Sequence, residues 1–144
     1  LLFFVKDKLN PLHLAIPVSN LEESVIYYRD ILGLEEGRSS NKWADFNFFG
    51  HQLVCHVSDN INEKTTNPVD GEEVPVPHFG VVLSIEEFEE FLLKINDKDI
   101  DFIIEPTIRF RGEIGEQRTM FFRDPSGNAI EIKAFKDIKN LFSS

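Results

Sequence analysis

The sequence predicts an α+β fold built from two βαβββ modules related by a pseudo-twofold axis. Three observations carry that expectation. The order strand, helix, three strands occurs twice, between about residues 10 and 58 and again between about 78 and 135. The two halves also open alike. His13-Leu-Ala-Ile-Pro-Val-Ser-Asn-Leu-Glu-Glu is echoed by His78-Phe-Gly-Val-Val-Leu-Ser-Ile-Glu-Glu, one residue shorter before the helix. A histidine begins each first strand, and a strand followed by an amphipathic helix does not by itself require one there.

The elements follow from local pattern. Leu12 to Val18 alternates as a strand and ends at Pro17-Val18-Ser19-Asn20. Asn20 is an N-cap with Glu23 in the capping-box position and Glu22 in the first turn. Leu21, Val25, Tyr28 and Leu32 recur at helical spacing, and Gly33 is the stop. Glu35 to Ser40, Trp43 to Phe49 and Gln52 to Ser58 read as strands separated by turn residues. Residues 59–77 are rich in Asn, Thr, Glu and Pro without hydrophobic period, and read as a connecting loop, long for a compact domain. In the second half His78 to Leu83 is a strand, and Ser84 caps a helix with Glu87 completing the capping box. Ile85, Phe88, Phe91, Leu92 and Ile95 form that helix's apolar stripe. Ile100 to Glu105, Arg118 to Arg123 and Ala129 to Phe135 complete the strands, with Asp124-Pro-Ser-Gly-Asn128 as a turn before the last. Residues 136–144 form a tail.

Bulk properties bound the function. The 144 residues fit one domain, 42% hydrophobic and 28% charged, as in ordinary globular proteins. A net charge of -10 argues against nucleic acid and against an anionic membrane surface as partners. No run is long enough for a transmembrane helix. The single cysteine, Cys55, excludes an internal disulfide, suits a reducing, cytoplasmic setting, and lies in an alternating run as a buried bystander. Leu1 to Val5 is apolar but lacks the basic lead and length of a signal peptide, and reads as an arm packing on the domain or a partner. The chain lacks an initiator Met, so a processed or trimmed form is the expectation.

Candidate chemistry sits on the repeat. If the halves pack about a pseudo-twofold axis, His13 and His78 converge on it. Glu131 lies in the middle of the last strand, on the face opposite Ile130 and Ile132 and shared with Ala129 and Lys133. A carboxylate there needs a cationic partner or a metal. Two imidazoles and one carboxylate suit a borderline divalent ion. Structural histidines and a Lys- or Arg-paired glutamate are the alternative.

The chain resembles the vicinal oxygen chelate superfamily, which includes glyoxalase I, bleomycin and fosfomycin resistance proteins, and extradiol dioxygenases. The resemblance runs from about Asn10 to Phe135. Its motifs are His13-Leu-Ala-Ile-Pro-Val, Tyr27-Tyr28 before Ile31-Leu32-Gly33-Leu34, His78-Phe-Gly-Val-Val-Leu, and Phe122-Arg-Asp-Pro-Ser-Gly-Asn-Ala-Ile-Glu131. It implies a curved mixed sheet around a metal-site cleft, with His13, His78 and Glu131 as metal ligands, a small oxygen-bearing substrate and a homodimer. The family's fourth ligand position falls on Val54, which disfavours a glyoxalase I cage and leaves a three-ligand, dioxygenase-like site. Such a site implies Fe(II), with Zn, Ni or Mn as alternatives. An isomerase, lyase or transferase of the same superfamily and a non-catalytic ligand-binding module are the competing readings. Typical catechol cleavage is disfavoured because the strand before Glu131 carries no Tyr.

Other residues are assigned by strand parity. Gln52, Val54 and His56 face the cavity, making His56 a candidate acid–base and Gln52 a candidate substrate contact. His51 faces the other way. Arg118 is a candidate anchor for an anionic substrate, with Arg109 and Arg111 nearby, against the alternative of solvated loop charges. Lys133 stands at the cavity rim, and Trp43, Phe46 and Phe48 are candidate cavity walls whose default is core packing.

Overall fold

The computed structural model describes residues 9–61, 65–69 and 71–143. The apolar arm Leu1 to Val5 lies outside them. In chain order the strands are β1 (His13–Val18), β2 (Glu35–Ser39), β3 (Trp43–Phe48), β4 (His51–Val57), β5 (Thr65–Val69), β6 (Glu72–Val76), β7 (His78–Ser84), β8 (Asp101–Arg109), β9 (Gln117–Arg123) and β10 (Ala129–Phe135). Helix α1 (Leu21–Val25) follows β1 and runs on into a π-helical stretch (Ile26–Ile31), α2 (Ile85–Ile95) follows β7, and a short 3-10 helix (Ile138–Phe142) lies in the tail. Among the described residues no helix is long and apolar enough to cross a membrane.

The two halves share one strand order. Module 1 is β1-β4-β3-β2 and module 2 is β7-β10-β9-β8, each with one parallel pair and two antiparallel ones. The mixed sheet is thus two four-stranded sheets. Between the modules, residues 59–77 depart from the expected loop: β5 and β6 form a hairpin, its turn at Gly71. The two five-residue strands, Thr-Thr-Asn-Pro-Val and Glu-Glu-Val-Pro-Val, carry no hydrophobic period, and of their three valines only Val74 is buried, Val69 and Val76 being exposed.

Each helix covers the same face of its sheet. Ile16, Val18, Tyr28, Phe46, Leu53 and Cys55 of module 1 join Leu83, Phe88, Phe91, Met120, Phe122, Ile130 and Ile132 of module 2 in one apolar cluster. Phe48 against Phe79 and Phe49 against Phe91, both with ring centroids 5.6 Å apart, stitch the halves together. Phe46 and Phe48 both take the default of core packing. The π-helical stretch has a packing reason: its wider turn lets the consecutive Tyr27 and Tyr28 both point inward. Tyr28 Oη donates to Asp124 Oδ2 at 2.7 Å and Tyr27 Oη to the Arg123 carbonyl at 3.2 Å, so the π-helical stretch holds the turn that precedes β10. Asp124 organises that turn by also accepting from the backbone of Ser126 and Asn128. The opposite face of each sheet is left for chemistry.

Candidate metal centre

β10 alternates as its sequence requires: Ile130, Ile132 and Ala134 enter the core, and Glu131 and Lys133 take the other face. The parallel register sets Glu131 beside Gly80, two residues after His78. His78 Nε2 consequently stands 3.2 Å from Glu131 Oε2. The other carboxylate oxygen, Oε1, receives Lys133 Nζ at 3.2 Å and the Thr119 hydroxyl at 3.3 Å. His78 Nδ1 donates to the Pro75 carbonyl at 2.7 Å, at the end of the hairpin, and its ring meets Phe121 edge-on with centroids 5.0 Å apart. A carbonyl only accepts, so Nδ1 carries the proton and Nε2 is the free nitrogen of a neutral His78.

The electrostatics follow from this geometry. The hydrogen bond to Glu131 raises the His78 pKa, opposed by burial and assisted by the Pro75 carbonyl. For Glu131, burial acts to raise the pKa, but His78 and Lys133 outweigh it and hold the carboxyl below its ordinary value. Glu131 is thus satisfied without a metal by the Lys partner that the sequence left open. Its Oε2 and His78 Nε2 nevertheless fit two positions of a divalent ion in chemistry and direction. Among the described residues no third His, Cys, Asp or Glu joins them.

His13 is held elsewhere. Asn128 Nδ2 donates to the Pro17 carbonyl at 2.8 Å and Ser19 N to Ser126 Oγ at 2.9 Å, tying the end of β1 to the turn before β10. His78 pairs with Ala129 next to that turn, whereas His13 lies four residues back along β1, about 13 Å from Pro17. It is exposed, and Nδ1 lies 2.7 Å from Gln52 Oε1. Among the described residues its Nε2 has no partner. Gln52 Nε2 in turn donates to Asp45 Oδ2 at 2.9 Å. Both ends of the Gln52 amide are occupied, which places it behind His13 and not toward a substrate.

The remaining candidates separate by register. Val54 pairs with Ala15 as Glu131 pairs with Gly80, so it does hold the position equivalent to the carboxylate. His56 is on the His13 face but opposite Pro17 and Trp43, about 13 Å along β4 from Gln52, too far to reach an ion on His13 directly. His51 accepts from Leu12 N at 2.8 Å and fastens the start of β1. The expectation for Arg118 is corrected: it pairs across the ladder with Ala134, shares the helix-side face, and forms an ion pair with Glu89 of α2, away from Glu131. Strand alternation is the reason, since Thr119 and Phe121 occupy the Glu131 side. Arg109 is buried and donates to the Val69 carbonyl, fixing the hairpin on module 2.

A cavity of about 300 Å³ opens beside His78, between β1 and β7. Ala15, Pro17, Ile61, Pro75, Val76 and Phe79 make it mostly apolar, and Arg123 and Asn128 stand at one side. Asp45 and Thr119 were not among the residues that the sequence singled out. The signal for Asp45 was the one used for Glu131: an acid on the polar side of a strand whose Ala44, Phe46 and Phe48 all enter the core.

Comparison with known proteins agrees with this architecture. A crystal structure of a glyoxalase/bleomycin resistance protein/dioxygenase from Alicyclobacillus acidocaldarius matches with a TM-score of 0.79 and 32% identity, covering 92% of this chain and 96% of that one. The metallothiol transferase FosB of Staphylococcus epidermidis is 28% identical over 123 residues, 83% of this chain and 79% of the relative. A point mutant of the fosfomycin resistance protein FosX from Listeria monocytogenes, complexed with Mn(II) and 1S,2S-dihydroxypropylphosphonic acid, shares the fold (TM-score 0.66, 21% identity, 93% and 95% covered). The model of the Glyoxalase/Bleomycin resistance protein/Dioxygenase superfamily matches residues 10–132, and the chain belongs to that superfamily.

Proposed function

We propose that this protein is a metal-dependent enzyme acting on a small oxygen-bearing anion, with a divalent ion held by His78 and Glu131 of one chain and His13 of a second copy. The observation that carries this reading is the approach of His78 Nε2 to Glu131 Oε2, with the remaining polar atoms of both side chains already engaged. Such an ion supplies a Lewis acid that stabilises negative charge on substrate oxygens. The chain's own residues do the rest. Pro75 and Phe121 fix the imidazole, and Thr119 and Lys133 orient the carboxylate. Lys133 adds positive charge for an anion, and the apolar cavity beside His78 sequesters the substrate from water.

His13 and the His78–Glu131 pair lie on separate parts of one chain, and a twofold partner would bring module 1 of one copy to module 2 of the other. Similarity to a metallothiol transferase, together with Phe121 opposite Glu131 where a Tyr was sought, favours group transfer or addition over oxygen insertion. The competing reading is a ligand-binding module without catalysis, favoured by the absence of a third donor beside His78 and Glu131 among the described residues.

Complementation separates these. His13→Ala and Glu131→Gln proteins are each expected to lose tight Mn(II) or Zn(II) binding in equilibrium dialysis. Unfolded and refolded together in equal amounts, they should regain about a quarter of the wild-type sites, because half the dimers are mixed and each mixed dimer has one intact site. No recovery, with wild type binding metal, would overturn the shared site. Wild type binding no metal would overturn the metal reading itself.

A further inference from the structure

Module 1 contains a three-residue relay that begins at a buried acid. Asp45 is 7% exposed on β3, on the face of the sheet that carries His13. Its carboxylate is seated by three local features. Gly37 leaves the space, since a Cβ there would meet Asp45 Oδ1 at 2.3 Å. The β2–β3 register shifts between Glu36 and Ser39, and Arg38 N donates to Oδ1 instead of to the ladder. Oδ2 remains for Gln52.

The chemistry of the acceptor then fixes every proton downstream. A carboxylate only accepts, so Gln52 must turn Nε2 toward Asp45 and Oε1 toward His13. An amide oxygen also only accepts, so His13 Nδ1 must donate and Nε2 must keep its lone pair. His78 reaches the same tautomer by a different route, the Pro75 carbonyl. Two equivalent histidines in two modules share one proton arrangement through unrelated devices.

We infer that Asp45, acting through Gln52, is a positioning residue that locks His13 as the Nδ1–H tautomer and presents Nε2 outward as a ligand. The ligand role rests on the metal reading above; the tautomer does not. Outer hydrogen bonds of this kind typically alter metal affinity by about 10- to 100-fold.

Long-range 1H–15N correlation of metal-free, 15N-histidine-labelled protein at alkaline pH reads the tautomer directly. Wild type should show His13 with protonated Nδ1 and a bare Nε2. Asp45→Asn frees the Gln52 amide to turn over and should shift His13 toward Nε2–H, with His78 unchanged as the internal reference for folding. The double variant Asp45→Asn/Gln52→Glu moves the carboxylate one residue along the relay, and should restore the wild-type pattern. Zn(II) affinity should fall at least about tenfold in the single variant and recover in the double one. An Nε2–H tautomer in wild type, or a single variant with an unshifted His13, overturns the relay. The expected tautomers without metal binding in any variant leave the relay standing and overturn the metal reading alone.

Discussion

His78 Nε2 lies 3.2 Å from Glu131 Oε2, although 53 positions separate them in the chain. The parallel β7–β10 pairing makes that contact, and it leaves the second carboxylate oxygen to Lys133 and Thr119. Removing the charge while keeping the shape tests its worth. Glu131→Gln should weaken metal binding at least about tenfold and lower the His78 pKa, the first by isothermal titration and the second by NMR titration.

The same pair sets a pH signature for the metal-free protein. Glu131, whose pKa is lowered from 4.5, contributes stability above that ordinary value and loses it as pH falls through the lowered one. His78, raised from 6.5, contributes below its ordinary value and loses it as pH rises through the raised one. These are two ends of one interaction. The pair therefore stabilises most between pH 4.5 and 6.5, and Glu131→Gln should flatten the melting-temperature profile on both flanks of that window. Metal must displace the His78 proton, so affinity should tighten about tenfold per pH unit up to the raised value.

Gly80 lies flat against β10. A Cβ there would fall 1.5 Å from the Glu131 carbonyl oxygen, a backbone atom that cannot move without breaking the ladder. Gly80→Ala should cost about 3 kcal/mol or more in chemical denaturation and abolish metal binding by displacing Glu131.

Tyr28 links the modules through its buried hydrogen bond to Asp124. Burial, and then the Asp124 charge, push its pKa well above the ordinary phenol value, so the hydroxyl stays a donor. Tyr28→Phe should cost about 2 kcal/mol in urea unfolding, the range for a hydrogen bond to a charged group.

Arg118→Ala provides the contrasting case. The Arg118–Glu89 pair lies on the α2 side with both side chains substantially exposed, so the change should cost less than about 1 kcal/mol and leave metal binding unaltered.

Much of the fold was legible because its signals are local. The capping box of Ser84 and Glu87 and the N-cap at Asn20 formed as their side chains dictate. Strand alternation correctly sent Ile130 and Ile132 to the core and Glu131 to the other face. Analogy between the two halves set Val54 at the position equivalent to Glu131, and the register has the same equivalence. The β5–β6 hairpin was hidden because its strands bury little apolar surface, and backbone pairing leaves no trace in hydropathy.

By itself, the sequence determined two modules, the repeat that opens them on His13 and His78, and the side of the strand on which Gln52 and Glu131 stand. Tertiary structure decided which of them meet. Register joined His78 to Glu131 and Gln52 to His13, because parallel pairing fixes neighbours that no periodicity encodes. The packing of β1 against the turn before β10 then set His13 apart from the pair it resembles. Periodicity gives a side chain its face; only the pairing of distant segments gives it a partner.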